Sequence, residues 1–423
     1  MNKVLFYHLE FPAGGTEKVT INIAKFLSNK NYEIHVMTSN KTQDKNFPYI
    51  KNIIEIPNQK SAFDESSAEN FLIEYLQQKE IDIFVLPARL APDLCSQIKK
   101  RTKCKIVFCL HSMPLWEVKS LLCSKKERSR RNLYKRIHWY TTTYIKGYWF
   151  NSYNRRFIAP YRETYNNVDV FVTLCTDYRN KLKKILHCSG KKIEIISNSE
   201  ERPSQVNLNK KKQIIYSGRL SFFDKRVDRL LAIWEKCQDS LKDWELIIIG
   251  EGEERTNLEN LAKKMNLQRL VFAGYISNME PYYQNASIIC LTSNFEGWPL
   301  CLTEALSYGV IPISFNCSEG VKTILASEDK PIGILIPPNN LNLFAKELIN
   351  LANNKNKMEE MRQNIIHRSN LYTSDIIGDK WFTLFNRLVV FHRVCLRPVC
   401  LRSDDAKLID NFVFHIKKAN FML

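Results

Sequence analysis

Short apolar runs alternate with amphipathic stretches along most of the chain. Residues 4–8 read as a first strand and 33–38 as a second. Between them Val19, Ile23, Phe26 and Leu27 recur at helical spacing and share one helix face. Runs at 81–86, 105–111, 168–174 and 192–197 extend the series. The pattern restarts at 213–217 and continues through 244–249, 270–273, 287–291 and 310–314. A helix is predicted at about 299–308 and a last helical region at about 341–390. Apolar strands separated by helices mark parallel sheets covered on both faces. The expected fold class is therefore α/β, with two doubly wound parallel-sheet domains facing a cleft.

A polar link at 198–212, with Pro203 and the run Lys210-Lys211-Lys212, separates the two series. This predicts a first domain over 1–200, a second over 201–386, and a basic tail over 387–423. The chain's 423 residues suit two or three domains. No run approaches 18 uninterrupted apolar residues, so no membrane-spanning helix is expected. The opening residues turn polar too soon for a signal peptide, and a cytoplasmic protein is expected. Twelve Cys lie scattered without a C-x-x-C pair, which predicts reduced, mostly buried thiols rather than a zinc ribbon.

Charge changes this picture in one place. The formal net charge is +18, and more than half of it falls within 119–163, where twelve Lys and Arg face only Glu127 and Glu163. Tyr134, Trp139, Tyr140, Tyr144, Tyr148, Trp149, Phe150, Tyr153, Phe157 and Tyr161 crowd the same stretch. Cations with aromatics suit an anionic membrane surface. The same mixture suits single-stranded nucleic acid, although no recognition motif accompanies it and nucleic acid is not the expected partner. A solvated helical insertion with some aromatics in the core is the plain alternative.

Ligands of open parallel sheets gather outside the carboxyl ends of the strands. After the first strand comes Gly14-Gly15-Thr16-Glu17, a turn that permits close backbone approach before a helix N-terminus. By itself such a turn is common. His111 ends the 105–110 run and can reach a cleft, or can be a satisfied structural histidine. After 213–217 stand Gly218, Arg219 and, just before a helix, Lys225. Two cations there suit a diphosphate, one bidentate and one a point charge, unless they are solvated loop charges. The segment Glu296-Gly297-Trp298-Pro299-Leu300 continues to Glu304. Two carboxylates at different depths can accept bonds from hydroxyls at both ends of an elongated ligand. Exposed helix amides near Leu300 can hold a phosphate between them. No Asp-x-Asp pair ends a strand, and Asp404-Asp405 lies in the tail, so no metal is expected.

This ordered set, with Gly250-Glu251-Gly252 and Gly274, resembles family 4 glycosyltransferases, which are retaining enzymes of the GT-B fold. The resemblance spans residue 1 to about 385 and implies two Rossmann-like domains, the first on the acceptor side. It implies transfer of a sugar from a nucleotide diphosphate sugar to a glycan or lipid-linked acceptor, with no cofactor. By resemblance Arg219 and Lys225 stabilise the leaving diphosphate, Glu296 meets the donor sugar, and Glu304 holds the ribose hydroxyls. The Gly297–Leu300 amides, Trp298 among them, bind sugar or phosphate. Gly218 bends the chain beside the cations. His111 supports the donor sugar and eases oxocarbenium-like charge, and Gly14-Gly15 closes over the phosphates. Asn- and Lys-rich usage suggests a bacterial source, hence surface polysaccharide synthesis (capsule or lipopolysaccharide) at the inner face of the plasma membrane. The departures are the 119–163 insertion, the tail, and Lys322 where the family usually has Glu. A degenerate transferase that binds nucleotide sugar or glycan without chemistry is the alternative.

Overall fold

Thirteen strands carry the structure. In this computed structural model, residues 1–395 are described apart from 13, 44, 57–65, 88, 130, 131, 151, 328 and 329. The first sheet holds β1 (Asn2–Phe11), β2 (Tyr32–Lys41), β3 (Asn52–Glu55), β4 (Ile83–Pro87), β5 (Lys105–Cys109), β6 (Val170–Thr173) and β7 (Ile193–Ile195). Its order is β3-β2-β1-β4-β5-β6-β7. The second holds β8 (Gln213–Ser217), β9 (Glu245–Ile249), β10 (Leu270–Gly274), β11 (Ile288–Leu291), β12 (Ile311–Phe315) and β13 (Ile334–Ile336), in the order β10-β9-β8-β11-β12-β13. Every pairing is parallel. The expected fold class is thus what the chain adopts. Strands β3 and β13 escape the sequence reading because they are short edges and only partly buried.

Strand order sets where a ligand can sit. The winding reverses between β1 and β4 in one sheet and between β8 and β11 in the other. Loops leaving such neighbours run to opposite faces and leave a crevice at the carboxyl ends. The loops after β8 and β11 carry the cations and the first glutamate of the candidate set.

Packing explains why these segments hold. The Val227–Cys237 helix buries Val227, Leu230, Leu231, Trp234 and Cys237 on one stripe. Each such large side chain contributes about 1.5–3 kcal/mol on full burial. Trp234 keeps its indole N–H satisfied by donating to the Gln268 carbonyl at 2.9 Å. Beneath the first sheet, Phe108 and Phe171 pack at 4.8 Å. Met113, Leu174, Cys175 and Tyr178, all from the first half, join the apolar cluster of the second sheet. The ten cysteines whose side chains are described are free thiols, and seven of them are buried.

The chain crosses between the halves at a point with its own backbone bonds. Glu200 accepts from Ser374 N at 3.1 Å and donates to the Tyr372 carbonyl at 2.8 Å. Asn198, Ser199 and Glu200 are buried, although they open a polar link. Helices Leu341–Ala352 and Lys355–Ser369 precede this crossing, and Ser374–Cys395 follows it. Phe26 meets Gly378 of that last helix, which has no side chain to obstruct the ring. Residues Met1–Phe382 form one compact unit, and the described residues 383–395 belong to a second. Asp404, Asp405, Arg397, Arg402, Lys417 and Lys418 of the expected basic tail lie outside the described residues, as does the side chain of Arg393.

Candidate active site between the two sheets

The cations sit on the loop after β8. Gly218, at φ +155°, turns the chain there, and its own backbone occupies the space a side chain on Gly250 would need. Arg219 donates to Asp224 Oδ2 at 2.9 Å, while its side chain is 64% exposed. Burial works against ionising Asp224, but the Ser221 hydroxyl, Lys225 and Arg219 together hold its carboxyl below the usual range. Arg219 thus pairs with Asp224 directly, and the Lys225 ammonium adds only its nearby charge.

Lys225 reaches across to the loop after β11. Its ammonium lies 2.7 Å from Glu296 Oε1, and Ser293 Oγ donates to the same oxygen at 2.7 Å. Among the described residues no hydrogen bond engages Glu296 Oε2. Burial opposes the charge on Lys225, yet Glu296 raises its ammonium above its ordinary range. The pair presents a cation and a carboxylate oxygen side by side. The Leu300–Ser307 helix starts four residues on. The Trp298 ring is buried and meets Tyr372 edge-on at 5.3 Å, so only its amide can serve a ligand.

The first half closes over this surface. The Gly14 N-cap, at φ +111°, leads into the Gly15–Ser28 helix. A Cβ on Gly15 would stand 3.4 Å from Leu300 Cδ1. Glu17 ties the glycine turn back to β1 through His8 Nδ1 at 3.2 Å and Thr16 Oγ1 at 2.8 Å. The backbone of His111 and Ser112 packs directly on Gly297. Tyr178 donates to the Gly297 carbonyl at 3.0 Å and accepts from Gly320 N at 3.1 Å. Lys119 donates to the Cys317 carbonyl at 2.9 Å.

His111 bonds through Nδ1 to Asn198 Oδ1 at 3.0 Å. With that oxygen accepting, the ring proton lies on Nδ1 and Nε2 offers a lone pair. Burial pushes the imidazole down to about 4, against the Asn198 bond. The ring is therefore neutral at neutral pH, able to accept from a hydroxyl but carrying no charge.

Glu304 lies apart from the Lys225–Glu296 pair. Its Oε2 accepts from the Tyr283 hydroxyl at 2.6 Å, and its Oε1 accepts from Lys18 of the first half. Lys18 also lies 3.1 Å from Glu200 Oε2. The sequence pattern did not single out Lys18, Asn198, Glu200, Tyr178 or Tyr283. Lys322, the departure noted above, lies on the Glu319–Leu325 helix, which Ser318 caps by accepting from Val321 N at 3.3 Å. Among the described residues no three His, Cys, Asp or Glu side chains cluster as a metal site.

Residues 13–199 match the family described as Glycosyltransferase Family 4, and 197–368 match Glycosyl transferases group 1. The chain belongs to the GT-B glycosyltransferases of the family 4 type and is a transferase enzyme. It is 28% identical over 385 residues to an "uncharacterized glycosyltransferase" of Haemophilus influenzae, covering 90% of this chain and 99% of that one. It is 26% identical over 198 residues to the GalNAc-alpha-(1->4)-GalNAc-alpha-(1->3)-diNAcBac-PP-undecaprenol alpha-1,4-N-acetyl-D-galactosaminyltransferase of Campylobacter jejuni, covering 46% of this chain and 54% of that one. Among solved structures, Anabaena Alr3699/HepE in complex with UDP superposes with a TM-score of 0.67 at 13% identity, over 92% of this chain and all of that one.

Proposed function

We propose that the protein is a retaining glycosyltransferase that takes a sugar from a nucleotide diphosphate sugar and needs no metal. The observation that carries this reading is the Lys225–Glu296 pair at the β8/β11 reversal, with Arg219 beside it. The bond from the anomeric carbon to the phosphate oxygen breaks, and its electron pair goes to the diphosphate. Lys225 and Arg219 stand where that charge develops. The acceptor oxygen bonds to the anomeric carbon on the same face, and its proton passes to the departing phosphate oxygen. Glu296 Oε2 accepts from a sugar hydroxyl, and the neutral His111 accepts from another. The HepE complex with UDP supports a nucleoside diphosphate as the donor half.

Incubation with a panel of uridine and guanosine diphosphate sugars tests the reading. One donor is expected to release its nucleotide, and product NMR should show the donor's anomeric configuration kept. No release and no thermal shift with any donor would exclude the enzyme reading, and an inverted product would exclude retention.

The acceptor is a glycan or a lipid-linked sugar of bacterial surface polysaccharide synthesis, met at a membrane face. The undecaprenol-linked acceptor in the Campylobacter relative's name supports this. So does the insertion between β5 and β6. There Trp139 and Tyr161 are buried, while Leu133, Tyr134, Ile137, Tyr140, Trp149 and Phe150 stand exposed beside Lys135, Arg136 and Lys146. Arg130, Arg131 and the side chain of Tyr148 lie outside the described residues. No helix among the described residues is long and apolar enough to cross a membrane. Each cation near an anionic surface is worth about 1 kcal/mol and is screened by salt. Binding to phosphatidylglycerol vesicles is expected to fall as salt rises, and to fall at least about tenfold in Trp149→Ser/Phe150→Ser. Salt-independent partitioning, or none, would refute membrane docking.

A further inference from the structure

Lys18 makes a contact that the donor-site reading leaves unused. It projects from the Gly15–Ser28 helix of the first half and touches two carboxylates, one in the second half and one at the crossing. One is Glu304, whose other oxygen holds the Tyr283 hydroxyl at 2.6 Å. The other is Glu200, at the crossing between the halves, whose Oε1 accepts from Thr303 Oγ1 at 3.3 Å. Thr303 and Glu304 are neighbours on one helix, so Lys18 closes a ring joining that helix, the crossing and the first half. The other titratable groups against this ring are the half-buried Cys301, which also feels Lys225 and Glu296, and Tyr308, which feels Glu280 and whose ring stacks on Tyr283 at 5.5 Å. Neither is a cation. One ammonium thus balances a buried carboxylate and a half-buried one.

We infer that Lys18 is a positioning residue for the nucleotide, delivered by the first half to hold Glu304 as an aimed acceptor for the ribose hydroxyls. This rests on Glu304 being the ribose carboxylate. The strain of the arrangement falls on Glu200, whose carboxyl is pushed up to about 8 by burial and by Glu304, with Lys18 opposing. Without the ammonium, two carboxylates would face each other and share a proton. A proton resting on Glu304 would remove one of its acceptor positions. Removing the charge of Glu200 as well should make the cation dispensable.

Calorimetric titration of the full chain with uridine and guanosine diphosphates between about pH 6.5 and 10 tests this. Lys18→Met is expected to weaken binding of the accepted nucleotide about tenfold at pH 7, the scale of a lost charge-assisted bond. Glu200 holds its proton to about pH 8 beside Lys18 and more tightly without it, so the variant should regain affinity only towards the top of this range, while wild type, with Lys18 still on Glu304, changes little. Lys18→Met/Glu200→Gln should return to within about threefold of wild type and lose the pH dependence. Lys18→Arg, which keeps the cation, should bind within about threefold of wild type. The corresponding 2′,3′-dideoxy diphosphate, lacking the hydroxyls, should bind wild type and Lys18→Met alike. Equal affinity of wild type and Lys18→Met for the ribonucleotide, an equal loss for the dideoxy compound, or no rescue by Glu200→Gln would overturn the inference. If Lys18→Met does not fold, Lys18→Arg and Glu200→Gln decide it: both keep a cation on Glu304 and should bind within about threefold of wild type, and a tenfold loss in either overturns it. Wild type that binds neither nucleotide would instead bring down the ribose reading, a result distinct from any of these.

Discussion

Arg219→Ala and Lys225→Ala are each expected to lower turnover by about 10² to 10³, the usual consequence of losing one preorganised donor to a developing anion. The two variants should part company on stability. Arg219 is 64% exposed, and its bridge to Asp224 is the kind that adds little to folding. Its removal should leave the melting temperature nearly unchanged, so lost turnover in that variant reads directly on chemistry. Lys225 neutralises Glu296, whose side chain is only 9% exposed. Its removal strands a carboxylate and should lower the melting temperature as well. Steady-state rates measured beside thermal melts separate the effects. Full turnover in either variant would remove that residue from the mechanism.

Gly297→Ala should come next in size. A Cβ at 297 would stand 2.6 Å from Ser112 Cα and press on the His111 carbonyl, both of them backbone. Neither can swing aside as a side chain would. The loop after β5 and the loop before the Leu300–Ser307 helix must then separate, carrying His111 away from Glu296. A displacement of about 1 Å between reacting groups costs about 10² in rate. Because the apolar contacts of each sheet lie elsewhere, donor release should fall far more than thermal stability does. Wild-type turnover in Gly297→Ala would show that the halves react without this close approach.

Much of this was legible in the chain itself. The β/α alternation is a local pattern, because a strand buried on both faces must be apolar throughout and its covering helix must carry one apolar stripe. Hence β8, β9, β11 and β12 lie within a residue or so of the expected positions. Gly218, Arg219, Lys225, Glu296 and Glu304 were legible for a related reason. Each stands just past a strand end or in the first turns of the next helix, so short-range spacing alone marks it.

Lys18 and Glu200 show where that logic stops. In sequence Lys18 is an ordinary polar position of an amphipathic helix, and Glu200 belongs to a stretch that reads as a solvated link. Their partners stand 182 and 286 residues from Lys18, a separation no periodicity encodes. The insertion is similar, since composition counts its aromatics but cannot say that Trp139 and Tyr161 turn inward while Trp149 and Phe150 face out. Two parallel-sheet halves and the chemical types waiting at their strand ends follow from neighbours in the chain alone. It takes the folded arrangement to bring one lysine of the first half onto Glu304 of the second and Glu200 at the crossing, and to keep His111 neutral. Burial and charge pairing depend on which distant segments meet, and folding alone brings them together.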